Sequence, residues 1–141
     1  MYYLASPMTD PEAKDREVHK EFYLRRNERI AARLEGAGIK IYLPQRDTDQ
    51  KLAPKKICLK NLEAIKRCKG VILVLSDTRG VYLEAGYAKA LGKTIIGLRV
   101  PETRALGRMV RNFLDAMVSS EDEIVMIVKG TTHAHRRTER H

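Results

Sequence analysis

The sequence has no tryptophan, only two phenylalanines and two cysteines, and no long hydrophobic run. Apolar runs such as residues 71–75 are far too short to cross a bilayer. The N-terminal letters MYYLASP have no basic region ahead of an apolar stretch, so no signal peptide is expected. We therefore expect a cytoplasmic protein with no membrane partner. Its 141 residues suffice for a single domain with a real core.

Metal and cofactor motifs are missing as well. Cys58 and Cys68 would lie about 15 Å apart along one helix, too far for a disulfide, and are expected to be buried free thiols. The histidines lie in a charged helical segment or near the C-terminus, without metal spacing. No G-x-G-x-x-G follows the first predicted strand, and GYAKALGKT has the wrong glycine spacing for a P-loop. We expect neither a metal nor a cofactor.

Positive charge is in excess, with a net charge of +9. Part of this charge lies in the C-terminal letters KGTTHAHRRTERH, residues 129–141, which we expect to form a basic, flexible tail. An anionic partner such as a nucleotide fits this charge. Nucleic acid is not expected, because aromatic residues make up only 6% of the chain and no recognition helix is visible.

Strand and helix patterns alternate along residues 1–128. The patterns predict strands at 2–5, 39–44, 71–76, 94–100 and 123–128, and helices at about 11–35, 54–69, 79–92 and 104–118. Strands that alternate with helices over short loops form a doubly wound α/β fold. We predict a single domain with a five-stranded parallel sheet, followed by the tail.

One carboxylate stands out in the stretch RGVYLEAGYAKALGK, residues 79–93. Glu84 lies at the edge of an apolar helical stripe formed by Val81, Ala85, Ala88 and Leu91. Its helix follows the central strand, and ligands of such folds bind at the carboxyl ends of the strands. Glu84 is therefore predicted to face that crevice from the first turn of its helix. The alternative is an ordinary first-turn glutamate that stabilises the helix dipole.

Three segments resemble the nucleoside 2-deoxyribosyltransferase family, which includes the 2'-deoxynucleoside 5'-phosphate N-hydrolases. They read YLASPM, NLEAIKRCKGVILVLSD and GVYLEAGYAKALGKTII, and the pattern E-x-G-x-A-x-x-x-G-K in the last is the most specific. The resemblance runs from the first strand to about residue 118. It implies a flavodoxin-like, Rossmann-like fold and a homodimer or higher homo-oligomer whose sites are completed by a neighbouring subunit.

The resemblance also implies a reaction. Glu84 would attack the anomeric carbon of a 2'-deoxynucleoside, the base would leave, and a second base or water would take the sugar from the glycosyl-enzyme. The expected function is a nucleoside 2-deoxyribosyltransferase whose partners are a deoxynucleoside or deoxynucleotide and a free nucleobase. The alternatives are a 2'-deoxynucleoside 5'-monophosphate N-glycosidase and a non-catalytic nucleotide-binding module.

Further site residues follow from the same resemblance. Ser6, Pro7 and Met8 match the segment that lines the base and sugar pocket. The loop before the nucleophile matches at Asp77, Thr78 and Gly80. Transferases have an acid in this loop, whereas the nucleotide hydrolases have a small hydroxyl residue that holds a 5'-phosphate, and this chain offers both. Asp77 could instead be a turn former at the helix entry.

Some positions depart from the family pattern. Asn61 occupies the position of a usual aspartate; it can hydrogen-bond a hydroxyl group but cannot act as a base. We keep it as a candidate catalytic position. Gly107 replaces a phosphate-contacting serine of the hydrolases, and the nearby Arg104 and Arg108 could bind an anion instead. Met109 is either a pocket wall contributed to a neighbour or a core residue.

Overall fold

The computed structural model describes residues 1–8, 16–76 and 78–139, without the side chains of residues 16–19 and 131–139. The elements are, in order, β1 (Tyr2–Ala5), α1 (Arg16–Gly36), β2 (Ile41–Tyr42), α2 (Pro44–Asp47), α3 (Pro54–Arg67), β3 (Gly70–Leu75), α4 (Arg79–Ala90), β4 (Thr94–Arg99), α5 (Arg108–Phe113), β5 (Ala116–Val118) and α6 (Glu121–Glu139). No helix in the described part of the chain is long and apolar enough to span a membrane.

The five strands form one parallel sheet in the order β2-β1-β3-β4-β5. β3 is buried along its whole length, because helices cover both faces of the sheet. α3 and α4 pack on one face, while α1 and α6 pack on the other. The predicted doubly wound, five-stranded parallel fold is confirmed. The strand order reverses between β1 and β3, so the crevice between the loops that follow these two strands is the expected ligand site.

The predicted strand at 123–128 is wrong, because this segment belongs to α6. Ser120 accepts a hydrogen bond from the backbone N–H of Glu123 at 3.3 Å, and the Glu123 carboxylate accepts one from Ser119 N at 3.2 Å. Together, these two hydrogen bonds cap the start of a helix. Ile124 then points into the core while Met126 is 70% exposed, as helical rather than strand periodicity requires.

The fifth strand lies instead within the predicted helix 104–118, which is helical only at 108–113. Asp115 interrupts that helix by docking on Ile95 at the start of β4. Its backbone N–H donates to Ile95 O at 2.8 Å, and its carboxylate accepts from Ile95 N at 2.7 Å. The chain after Asp115 is thereby aligned to pair with β4.

Several smaller predictions also change. The strand predicted at 39–44 is reduced to β2, because Pro44 starts the short helix α2. Cys68 is buried as predicted but Cys58 is exposed, and both are free thiols. The backbone of 129–139 continues α6, and a flexible tail stays a prediction. The predicted helix start at residues 10–11 lies outside the described residues.

Candidate active site

Glu84 lies in the second turn of α4, so the predicted first-turn position is wrong. The helix dipole acts mainly on the first turn and contributes little to Glu84. The side chain is half-buried, whereas the adjacent Leu83 is 75% exposed. Glu84 therefore turns toward the sheet, and its environment comes from tertiary contacts.

Tyr3 is the hydrogen-bond partner of Glu84. Its hydroxyl donates to Glu84 Oε2, and Tyr3 itself is fully buried in β1. Glu84 Oε1 has no hydrogen-bond partner among the described residues and is not one of their buried unpartnered atoms. One carboxylate oxygen is thus held while the other remains available for chemistry. Sequence reasoning missed Tyr3, although it begins the segment YLASPM, because an apolar strand pattern indicates only core packing.

Burial raises the pKa of Glu84 to about 7, and the hydrogen bond from Tyr3 opposes this shift. The pKa of Tyr3 is raised by burial and by the neighbouring carboxylate, so Tyr3 keeps its proton and stays a donor. At neutral pH, Glu84 is therefore divided between its protonated and ionised forms. A pKa near the working pH is typical of catalytic carboxyl groups.

A second polar chain lies beside this pair. The ring of Tyr42, the β2 residue in register with Tyr3, stacks on the Tyr3 ring with centroids 5.7 Å apart and an interplanar angle of 11°. The hydroxyl of Tyr42 hydrogen-bonds Thr48, and Thr48 donates to Asn61 Oδ1 at 2.7 Å. The stacked tyrosines thus connect the candidate residues Glu84 and Asn61.

The loop after β1 carries Ser6, Pro7 and Met8, of which Pro7 is buried and the other two are half-buried. Asn27 of α1 braces this loop by donating from Nδ2 to Pro7 O at 2.9 Å. The same amide contacts Gln45 Oε1 at 3.0 Å, which links the brace to α2. The predicted pocket segment is therefore anchored at the carboxyl edge of the sheet.

The loop after β3 leads into α4. Asp77 lies outside the described residues. Thr78 is the N-cap residue of α4, but its side chain makes no capping hydrogen bond, and its Oγ1 is buried without a partner. A Cβ built on Gly80 would meet no atom within 4 Å, so there is open space at this helix start. Among the described residues, no side chain caps the backbone N–H groups of this turn.

The predicted α5 residues lie further along the chain. Arg108 is exposed and Met109 is 77% exposed, which rules out a core role for Met109. No hydrogen bond or ion pair joins either residue to Glu84 or Asn61 in the described part of the chain. A cavity of about 320 Å³ lies along α1, and Glu84 is not among the residues that line it. Its lining residues are Glu21, Phe22, Arg25, Arg26 and Arg29. Hydrogen bonds, not an enclosed volume, define the candidate site.

Comparison with protein families gives a match over residues 2–123 to the nucleoside 2-deoxyribosyltransferase family. The chain belongs to this family. The resemblance inferred from the three sequence segments is thereby confirmed, and an enzyme that acts on nucleosides or nucleotides is supported. No curated protein matches the sequence.

Three solved structures share the fold of this family member. The 2-deoxyribosyltransferase of Bacillus psychrosaccharolyticus aligns with a TM-score of 0.70 and 19% identity, over 88% of this chain and 89% of that one. The CMP N-glycosidase of Clostridium botulinum aligns with a TM-score of 0.61 and 22% identity, over 91% and 97%. The Leishmania mexicana enzyme, a 2-deoxyribosyltransferase, aligns with a TM-score of 0.54 and 24% identity, over 70% and 63%. At these identities, the alignments establish the fold alone.

Proposed function

We propose that the protein is a nucleoside 2-deoxyribosyltransferase that cleaves the N-glycosidic bond of 2'-deoxynucleosides and transfers the sugar to another base. The observation that carries this proposal is the hydrogen bond from the buried Tyr3 hydroxyl to Glu84 Oε2. It presents a carboxylate with one available oxygen near the carboxyl edge of the sheet. Membership of the family supports the same reaction class.

The reaction proceeds in two displacements at the same carbon. An oxygen of ionised Glu84 bonds to C1', the C1'–N bond breaks, and its electron pair leaves with the base. A ring nitrogen of the incoming base then attacks C1', which forms the new C–N bond and releases the Glu84 carboxylate, while the proton of that ring nitrogen passes to solvent. Tyr3 fixes the orientation of the carboxylate throughout. The pKa near 7 leaves a large ionised fraction while keeping the oxygen more basic than in an exposed glutamate.

The other candidate residues complete the proposed pocket. Ser6, Pro7 and Met8 line the base and sugar, and Asp77 handles a sugar hydroxyl. Arg108 and Met109 contribute to the site of a neighbouring subunit in a homo-oligomer. Their exposure in the single chain is compatible with that placement.

Base exchange tests this function directly. The protein is incubated with deoxyinosine and adenine, and the formation of deoxyadenosine is followed by chromatography. We expect exchange in the wild type and none in Glu84→Ala. Glu63→Ala, which changes an exposed glutamate of α3, should retain full activity. Ligand binding without base release or exchange would instead indicate a non-catalytic nucleotide-binding module.

A 2'-deoxynucleoside 5'-monophosphate N-glycosidase is the second candidate. It is favoured by the buried, unpartnered Thr78 Oγ1 at the uncapped start of α4, next to the open space at Gly80. Helix starts of this kind bind phosphate through backbone N–H groups. If this candidate holds, deoxynucleoside monophosphates should be cleaved faster than deoxynucleosides. Thr78→Val should reduce only the phosphate-dependent gain, and Thr78→Ser should preserve it.

A further inference from the structure

The Asn61 side chain is held in one orientation by Thr48. A threonine hydroxyl has one hydrogen, and Thr48 donates it to Asn61 Oδ1 at 2.7 Å. The hydrogen bond between Tyr42 and Thr48 must then be donated by the Tyr42 hydroxyl. The chain therefore runs in one direction, from Tyr42 through Thr48 to Asn61, and ends on the amide oxygen.

This orientation leaves the Asn61 amide nitrogen as the group that faces away from the chain. Nδ2 donates to no described residue, and it is not among their buried unpartnered atoms. Asn61 is half-buried, so its amide group is partly accessible from outside the core. Tyr42 stacks on Tyr3, so Glu84 is bonded to one hydroxyl of this tyrosine pair, and the Asn61 amide is linked through Thr48 to the other. A ligand that extends from Glu84 to Asn61 would therefore meet a donor there and no acceptor.

We propose that Thr48 holds Asn61 as a fixed hydrogen-bond donor to the departing base, which leaves as an anion without receiving a proton from Asn61. This inference rests on the proposed reaction at Glu84. As the carboxylate oxygen bonds to C1', the electron pair of the C1'–N bond moves onto the base. Asn61 Nδ2–H stabilises this charge by a hydrogen bond, and the free base anion takes its proton from water. An amide can stabilise such a charge but cannot transfer a proton.

The consequence is a strong dependence of rate on the acidity of the leaving base. Without proton transfer, the transition state carries most of the negative charge on the base, so a more acidic base leaves faster. A carboxylic acid at residue 61 would supply a proton and weaken this dependence. The pH–rate profile of the wild type should accordingly show the rise from Glu84 ionisation and no alkaline fall assignable to residue 61.

The test is a leaving-group series in the full chain. Single-turnover rates are measured for 2'-deoxyuridine and its 5-halogenated analogues, or for 6-substituted purine deoxynucleosides. The expected wild-type result is a steep fall of log kcat/KM with the pKa of the free base. Asn61→Ala should lose on the order of 10–100-fold in kcat with a smaller change in KM. Asn61→Asp should show a shallower slope and a new alkaline fall in its pH profile.

Thr48 is tested as a positioning residue. Thr48→Val should lower kcat by part of the amount lost in Asn61→Ala, because the Asn61 amide can then rotate. Thr48→Ser should restore the wild-type dependence of log kcat/KM on the pKa of the base. The fall in kcat caused by Asn61→Ala should also be seen with 2',3'-dideoxynucleosides. If it is absent with these substrates, Asn61 contacts the sugar 3'-oxygen and the inference is wrong. Glu84-dependent cleavage at the wild-type rate in Asn61→Ala also overturns it. If no Glu84-dependent cleavage occurs at all, the proposed function itself fails.

Discussion

Tyr3 and Glu84 lie 81 positions apart in the chain, yet the hydroxyl of Tyr3 donates a hydrogen bond to Glu84 Oε2. The interior strand β1 thereby holds a carboxylate of α4, the helix that follows the neighbouring strand β3. The bond favours the ionised carboxylate, while burial favours the protonated acid. The balance of these two effects sets the pH at which the proposed nucleophile becomes available.

Tyr3→Phe should raise the pKa of Glu84 above its value of about 7, because the substitution removes the hydrogen bond that lowers it. A hydrogen bond to a charged group is worth roughly 1.5–3 kcal/mol, or about 1–2 pH units. The acid limb of the pH–rate profile should move upward by that amount. Tyr2→Phe is the matched control, since Tyr2 packs on the opposite face of the sheet. If the acid limb of the pH–rate profile does not move in Tyr3→Phe, or moves equally in both variants, the limb does not report the ionisation of a Glu84 bonded to Tyr3.

Glu84→Gln should stabilise the protein at alkaline pH while abolishing activity. The pKa of Glu84 is raised from 4.5 to about 7, so its contribution to stability is fully present below 4.5 and is lost as the pH rises through 7. Glutamine cannot ionise and avoids this loss. The variant should gain roughly 1–3 kcal/mol in free energy of unfolding at pH 8, and much less at pH 5. Urea denaturation at pH 5 and pH 8 measures the gain in the free energy of unfolding.

Glu63→Gln serves as the control for that comparison, because Glu63 is exposed and pairs only loosely with Lys60 at 3.7 Å. It should show no pH-dependent gain. An equal stabilisation of Glu84→Gln at pH 5 and pH 8 would mean that the carboxyl group is not titrating between them.

Glu102→Gln should destabilise the fold, because Glu102 accepts a hydrogen bond at 2.7 Å from the buried guanidinium of Arg26. Arg26 is only 4% exposed, and losing its partner leaves a buried charge uncompensated. Breaking such a pair typically costs about 3–5 kcal/mol, and the partial exposure of Glu102 reduces this to roughly 2–3 kcal/mol. The free energy of unfolding in urea measures the loss. Asp122→Asn, which breaks an exposed pair with Arg33, should change it by less than about 1 kcal/mol.

Two glycine substitutions should have opposite effects. In Gly70→Ala, the new Cβ would lie 2.6 Å from the backbone oxygen of Thr94, and we expect a loss of about 1–3 kcal/mol or more. In Gly86→Ala, the Cβ would meet no atom within 4 Å, and alanine favours the interior of α4 by about 0.5–1 kcal/mol. Thermal denaturation compares the two variants. A stabilised Gly70→Ala would contradict the packing at the start of β3.

Local patterns were sufficient where one periodicity dominated. The buried run of β3 and the alternation of strands with α3 and α4 predicted the parallel sheet correctly, because their burial follows from their own residues. The helix predicted at about 79–92 ends at Ala90, and Gly92 just beyond it has a positive φ of 72°, which glycine tolerates. The edge position of Glu84 in its apolar stripe was also visible in the sequence.

Other features depended on contacts between distant residues. The run at 124–128 fits a strand or a helix equally well, and the cap at Ser120 together with packing against α1 decides for the helix. The contact of Asp115 with Ile95 places β5. The partner of Glu84 and the orientation of Asn61 likewise come from other elements. The sequence alone determined the parallel α/β class of the fold and the position of the candidate carboxylate along the chain. The place of β5, the pKa of Glu84 and its hydrogen-bond partner were decided by tertiary structure, because burial and long-range contacts exist only once the elements are packed together.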